Sequence, residues 1–237
     1  MSSRDELRER AFRANLDIVA AGLVVLTFGN ASAVDRGAGV MAIKPSGVPY
    51  ADLTPDAIVL VDVDTGEVVD GAYRPSSDTP THLVLYRRFD GVGGIVHTHS
   101  PYATAWAQAL LPIPCLGTTH ADHFHGPVPV TRALAEDEIA GDYETRTGNV
   151  VVETLERLEL DPLEMPAVLV ASHGPFAWGE DAESAVENAV ALEAVAASAY
   201  RTVSLAADVA QIDDGLLQRH YRRKHGAGAY YGQPRGS

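Results

Sequence analysis

The chain has a single cysteine, Cys115, in 237 residues, so it forms no internal disulfide and the disulfide-framed secreted scaffolds are excluded. Positive charge is also scarce. Lys and Arg number 18 against 32 Asp and Glu, a formal net charge of -14, which argues against nucleic acid or an anionic membrane as the main partner while leaving room for a local phosphate pocket. No apolar run reaches transmembrane length. The opening Met1-Ser2-Ser3-Arg4-Asp5-Glu6 lacks the apolar segment of a signal peptide, so a cytoplasmic location is expected. Internal repeats and low-complexity linkers are missing as well. The length then favours one compact α/β domain over residues 1–237, with residues 234–237 as a tail outside its packing.

What is present begins with a helix: Ser2 or Ser3 caps it, and Leu7, Ala11, Ala14 and Ile18 recur at helical spacing up to about Gly22. Residues 23–27 read as a strand that breaks into Phe28-Gly29-Asn30-Ala31-Ser32. A second extended run at 40–43 leads into Lys44-Pro45-Ser46-Gly47. Runs at 57–63 and 67–69 flank the hairpin turn Asp64-Thr65-Gly66. A third polar turn, Ser76-Ser77-Asp78-Thr79-Pro80, precedes a helix that Asp78 or Thr79 caps. Taken singly, these polar turns are ordinary turn chemistry. Their small residues and Lys44 also suit an anion, and Asp78 is by default a helix cap.

Around Gly93-Gly94-Ile95-Val96-His97-Thr98-His99-Ser100 the pattern is sharper. An apolar run after paired glycines reads as a buried strand, whose period of two sends His97 and His99 to one face. Two convergent imidazoles either begin a divalent-metal site or form a hydrogen-bonded pair at a strand end; the spacing alone supplies only two ligands. Downstream come a helix over 101–110, a histidine-dense stretch at 120–125, and a helix from Thr147-Gly148-Asn149 to Leu158. His123 and His125 sit beside Gly126-Pro127 and read as exposed loop histidines. A buried strand at 167–171 ends at Ser172-His173-Gly174. An Ala-rich helix capped by Asp181 runs to about Ala199, and a basic last helix spans 215–225.

Seven motifs in order carry a resemblance: Gly29-Asn30-Ala31-Ser32, Lys44-Pro45-Ser46-Gly47, residues 76–82, residues 94–100, Thr118-Thr119-His120-Ala121-Asp122, residues 172–179, and Lys224-His225-Gly226 with Ala229-Tyr230-Tyr231-Gly232-Gln233. Together they resemble the L-ribulose-5-phosphate 4-epimerases of the class II aldolase superfamily, over nearly the whole chain. The resemblance implies an α/β fold, a three-layer α/β/α sandwich around a mostly antiparallel central sheet. It also implies a homotetramer with active sites at subunit interfaces. By it, Asp78, His97, His99 and His173 hold a divalent metal, typically Zn2+, with Mn2+ or Co2+ as alternatives. Gly29, Asn30, Lys44, Ser46, Gly47, Ser76 and Ser77 receive the substrate phosphate, and Asp122 and Tyr231 transfer protons from a neighbouring subunit. His220 and Glu144 are auxiliary. The positions of His123 and His125 are usually aromatic in such epimerases, a departure bearing on the segment that carries Asp122.

The chemistry of such a substrate explains these parts. In a 2-ketopentose 5-phosphate the C4 proton is beta to the ketone, so its removal leaves an unstabilised carbanion. Inversion at C4 therefore proceeds by retro-aldol cleavage of the C3–C4 bond, rotation of glycolaldehyde phosphate, and re-addition to the enediolate of dihydroxyacetone. A Lewis acid stabilises the charge, and proton donors are needed on both faces. A class II aldolase of the L-fuculose-phosphate type is the rival, distinguished by a Glu where this chain has Asp78. A non-catalytic scaffold of the same fold would lack the three histidines.

Overall fold

Alternation along the strands decides the architecture. In the computed structural model, which describes residues 2–225 and 229–230, the strands are β1 (Asn30–Asp35), β2 (Val40–Ile43), β3 (Val59–Asp62), β4 (Val68–Asp70), β5 (Gly94–His97), β6 (Ala167–Val170) and β7 (Gly174–Gly179). They form one sheet in the order β4-β3-β2-β1-β5-β7-β6, and each neighbouring pair is antiparallel. Successive side chains face opposite sides, so Ala31, Ala42, Leu60, Val96 and Leu169 enter one core while Met41, Ile43, Val61, Ile95 and Val168 enter another.

Each core is closed by helices. The first is covered by α1 (Ser3–Ala20), α3 (Pro101–Ala109) and α7 (Ala182–Leu205), and the second by α2 (Thr79–Arg88) and α6 (Tyr143–Arg157). Shorter α4 (Thr118–Ala121) and α5 (Glu136–Ala140) and the final α8 (Asp214–His225) complete the α-helices among the described residues. This is the expected three-layer α/β/α sandwich around an antiparallel sheet. None of these helices is long and apolar enough to cross a membrane.

Local chemistry sets several boundaries as expected. Ser2 Oγ accepts from the Asp5 N–H at 3.2 Å and the Asp5 carboxylate accepts from the Ser2 N–H at 2.9 Å, a reciprocal cap that starts α1. Leu7, Ala11, Ala14 and Ile18 are buried as their spacing predicts. Asp181 caps α7 through Ser184 N–H at 2.7 Å.

Four stretches differ from expectation. The strand assigned to 23–27 is a turn region in which Leu26 adopts φ 57° and Val25, Leu26 and Phe28 are exposed. The strand lies instead over Asn30–Asp35, the stretch read as a break. The buried Asn15 amide donates to Ala31 C=O at 2.8 Å and its carbonyl accepts from Ala31 N–H at 2.9 Å, satisfying that backbone from α1. The helix expected from Thr147 starts at Tyr143; Gly148 lies within it because a Cβ there would meet Val84 Cβ of α2 at 2.7 Å. Residues 174–179, read as a strand end, form β7, reached from β6 by a tight turn with Ser172 at φ 60°. His123 and His125, expected as exposed loop histidines, are half-buried: their stretch contains α4, buries His120, and packs on α8.

Candidate active site

Where β5 ends, His97 is 1 % exposed, its ring stacked on Phe176 of β7 with centroids 4.2 Å apart. The Pro175 carbonyl is an acceptor only, so His97 Nδ1 carries the hydrogen of that 2.9 Å bond and the neutral ring keeps its lone pair on Nε2. His97 Nε2 lies 3.1 Å from His99 Nε2. His173, in the β6–β7 turn, brings its ring within 4.7 Å of His97 and 5.1 Å of His99, centroid to centroid. The three offer ligand atoms within 4.8 Å of one another. Burial, reinforced by the neighbouring imidazoles, lowers His173 to about 4, and burial lowers His97 and His99 as well. Neutral imidazoles with converging lone pairs form the donor set that a divalent cation requires, and these residues fit one.

Asp78 stands at the N-cap position of α2, yet its side chain makes no capping bond. Its carboxylate instead accepts from Asn30 Nδ2 at 2.7 Å. Burial alone would raise its pKa; the neighbouring His97 and His82 and the Asn30 hydrogen bond outweigh that and hold it below the usual carboxylate range. An ionised carboxylate is thus available beside the imidazoles.

The three polar turns meet in one cavity of about 440 Å³ whose lining includes Gly29, Asn30, Lys44, Ser46, Gly47, Ser76 and Ser77 together with Asp78, His97, His99 and His173. Backbone pairing draws the second and third turns together: Ser46 N–H donates to Arg74 C=O and Ser76 N–H to Lys44 C=O, both at 3.0 Å. Gly29 is required by close approach, since it has φ 97° and a Cβ would lie 2.8 Å from the His97 carbonyl. Lys44 is buried, donates to Val48 C=O at 2.8 Å, and lies 4.6 Å over the Tyr50 ring. Desolvation lowers its pKa, and an incoming dianion would repay that cost. A larger hollow of about 720 Å³ between α1 and β1 mixes Arg10, Arg13 and Arg36 with carboxylates and contains no imidazole. Its chemistry points nowhere in particular.

Asp122 is not brought to the cavity of its own chain. It ends α4 and is gripped by α8: Arg223 donates to both carboxylate oxygens at 2.9 and 2.6 Å, and His220 Nδ1 lies 3.1 Å from Oδ1. Burial opposes its charge, but these partners hold it below the usual range. Tyr231 lies outside the described residues. Glu144 does line the cavity, and so does Tyr143, which the sequence reading passed over; its hydroxyl is 3.4 Å from His173 Nδ1. The signal of Tyr143 was hidden because the helix was expected to begin only at Thr147.

Residues 9–200 match the family described as Class II Aldolase and Adducin N-terminal domain. The chain is 54% identical over 228 residues to proteins named L-ribulose-5-phosphate 4-epimerase UlaF from Salmonella typhi and from Salmonella choleraesuis (strain SC-B67), covering 96% of this chain and 99% of each relative. Among solved structures, an L-fuculose 1-phosphate aldolase aligns with TM-score 0.77 at 24% identity, covering 94% of this chain and 97% of that one. The l-fuculose-1-phosphate aldolase of Thermus thermophilus aligns with TM-score 0.66 at 26% identity, covering 89% of this chain and 100% of that one.

Proposed function

The chain belongs to the class II aldolase and adducin N-terminal domain family, and from that premise we propose that it is an L-ribulose-5-phosphate 4-epimerase. It interconverts L-ribulose 5-phosphate and D-xylulose 5-phosphate by breaking and remaking the C3–C4 bond. The observation that carries the reading is the meeting of His97, His99, His173 and Asp78 with a glycine- and serine-rimmed pocket in one cavity. Full-length identity to named epimerases, and an Asp at position 78 where the aldolases of the superfamily carry Glu, favour epimerisation over aldol cleavage with release.

In this reading His97, His99, His173 and Asp78 hold a divalent metal, Zn2+ in the first instance. The metal supplies Lewis acidity for the negative charge that develops on the ketone fragment. Lys44, the N–H groups of Gly47 and Ser77, and the hydroxyls of Ser46, Ser76 and Ser77 grip the phosphate, so the aldehyde fragment stays while it turns its other face. The proton on the C4 hydroxyl must leave on cleavage and return on re-addition from the opposite side. Asp122 is the residue assigned to accept it, with His220 Nδ1 3.1 Å from its carboxylate. Tyr231 serves the other face. Because Asp122 lies away from its own chain's cavity, the pair acts across a subunit boundary, in a homotetrameric cytoplasmic enzyme.

Incubation with L-ribulose 5-phosphate tests this. D-xylulose 5-phosphate as sole product is expected. Accumulation of dihydroxyacetone and glycolaldehyde phosphate would make the protein an aldolase, and no turnover by the metal-loaded protein would make it a scaffold.

A further inference from the structure

Beside the cavity, one aromatic side chain touches two of the three polar turns. Tyr50 opens a short 3₁₀ turn, Tyr50–Asp52, a little beyond Lys44-Pro45-Ser46-Gly47. It is 9 % exposed and belongs to the first core. Packing there asks only for a ring, which Phe would supply. The hydroxyl that Tyr50 adds donates to Gly29 C=O at 2.9 Å, in the first turn. The same ring presents its face to Lys44 Nζ of the second turn, 4.6 Å from the ring centre. Gly29 and Lys44 both line the cavity.

Lys44 is 2 % exposed, and the groups around its charge are neutral: Val48 C=O accepts from Nζ at 2.8 Å and Pro45 C=O at 3.3 Å. Two carbonyls take two of the three ammonium hydrogens and leave the third for a group in the cavity. Burial works against the charge. An aromatic face offsets that cost, because the ring quadrupole attracts a cation, and most strongly where water is kept out. Without the ring, the long flexible lysine stem could turn its charge to solvent and away from the pocket.

We infer that Tyr50 is a positioning residue for the phosphate grip: its ring seats the Lys44 ammonium against the cavity, and its hydroxyl, anchored on Gly29, holds that ring in place. The inference rests on the reading of Lys44 as a phosphate ligand. Affinity for the phosphorylated substrate should then respond to the charge distribution of the ring at position 50, and not to its shape alone.

The test is steady-state kinetics of the metal-loaded protein with L-ribulose 5-phosphate. The variants are Tyr50→Phe, a trifluorinated phenylalanine incorporated at the same position, Tyr50→Leu, Lys44→Met, and Lys44→Met combined with Tyr50→Leu. Fluorination draws charge from the ring face and leaves the shape nearly unchanged. Tyr50→Phe, which keeps the ring and loses one hydrogen bond, is expected to raise KM less than about threefold. The fluorinated ring and Tyr50→Leu should each raise KM about tenfold, the worth of a desolvated contact between cation and ring, with kcat changed less than about threefold. On the Lys44→Met background, Tyr50→Leu should add less than about twofold, because it acts through the lysine. A merely structural role would depend neither on fluorination nor on the presence of Lys44. A fluorinated ring with the KM of Tyr50→Phe, or losses at positions 44 and 50 that multiply, overturns the inference while the phosphate pocket stands. If Tyr50→Leu does not fold, Tyr50→Phe and its fluorinated analogue decide it. An unchanged KM in Lys44→Met removes the lysine from the phosphate pocket and the role of Tyr50 with it.

Discussion

Two groups of histidines occupy different parts of the molecule and behave differently. His97, His99 and His173 come from strand ends and a strand turn, and their nitrogens converge on one another. His120, His123, His125, His220 and His225 lie between α4 and α8, and each has its own protein partner: Gly126 C=O, Lys224, Glu164 and Gln218, the Asp122 carboxylate, and the Asp122 carbonyl. The Tyr221 ring is stacked between His125 and His225 at 4.6 Å from each. Density of histidine therefore does not make a metal site. A metal requires lone pairs that converge on one point, and a sheet can supply them from two short segments far apart in sequence.

The contrast between the groups breaks most visibly if the strand-end set is disabled. His97→Ala or His173→Ala should abolish stoichiometric metal and reduce epimerisation by about 10³-fold or more, as loss of several kcal/mol of charge stabilisation demands; metal analysis beside turnover checks both. Asp122→Asn and Tyr231→Phe should each cost about 10²–10⁴-fold in turnover, the scale of general acid–base catalysis, with metal content unchanged. Full activity in both variants would remove the proton-transfer assignment. Lys44→Met should raise KM for the phosphorylated substrate about tenfold or more, the worth of one charge-assisted hydrogen bond, and leave metal content alone.

The α4–α8 group makes its own prediction through acid stability. Burial first, then Lys224 and His225, lower His123 to about 4, whereas an unfolded histidine titrates near ~6.5. Between those values the unfolded chain binds more protons, so stability is complete above the upper value and falls as pH drops toward the lower one. Replacing His123 by Phe should flatten that decline in thermal melts between pH 7 and 4. An unchanged slope would mean that His123 does not remain neutral in the fold. The smallest effect is expected for His125→Phe, which keeps the stack on Tyr221 while losing the Glu164 and Gln218 contacts. Turnover should change less than about threefold, and stability by at most ~1 kcal/mol, as for a partly exposed polar contact.

Periodicity in the sequence made α1, β2, β3 and β5 legible because their buried faces carry apolar side chains at fixed spacing, whereas β4 is exposed throughout and was legible from the Asp64-Thr65-Gly66 turn that precedes it. β1 was hidden because Asn30, Ala31, Ser32 and Ala33 are small or polar; they are buried since helices approach closely, a tertiary fact with no local signature. The pairing of His97 with His99 could be read from a spacing of two. His173 could be tied to them only through resemblance, since residues 74 positions apart meet through the pairing of β5 with β7. Tyr143 left no trace at all, because its place on the cavity depends on where α6 begins.

Anomalous diffraction from crystals grown with zinc tests the central claim most directly. One ion is expected at about 2.0–2.1 Å from a nitrogen of each of His97, His99 and His173, with Asp78 as the acidic ligand and no ion between α4 and α8. An ion held by His123, His125 or His220 instead, with the strand-end histidines bare, would contradict it.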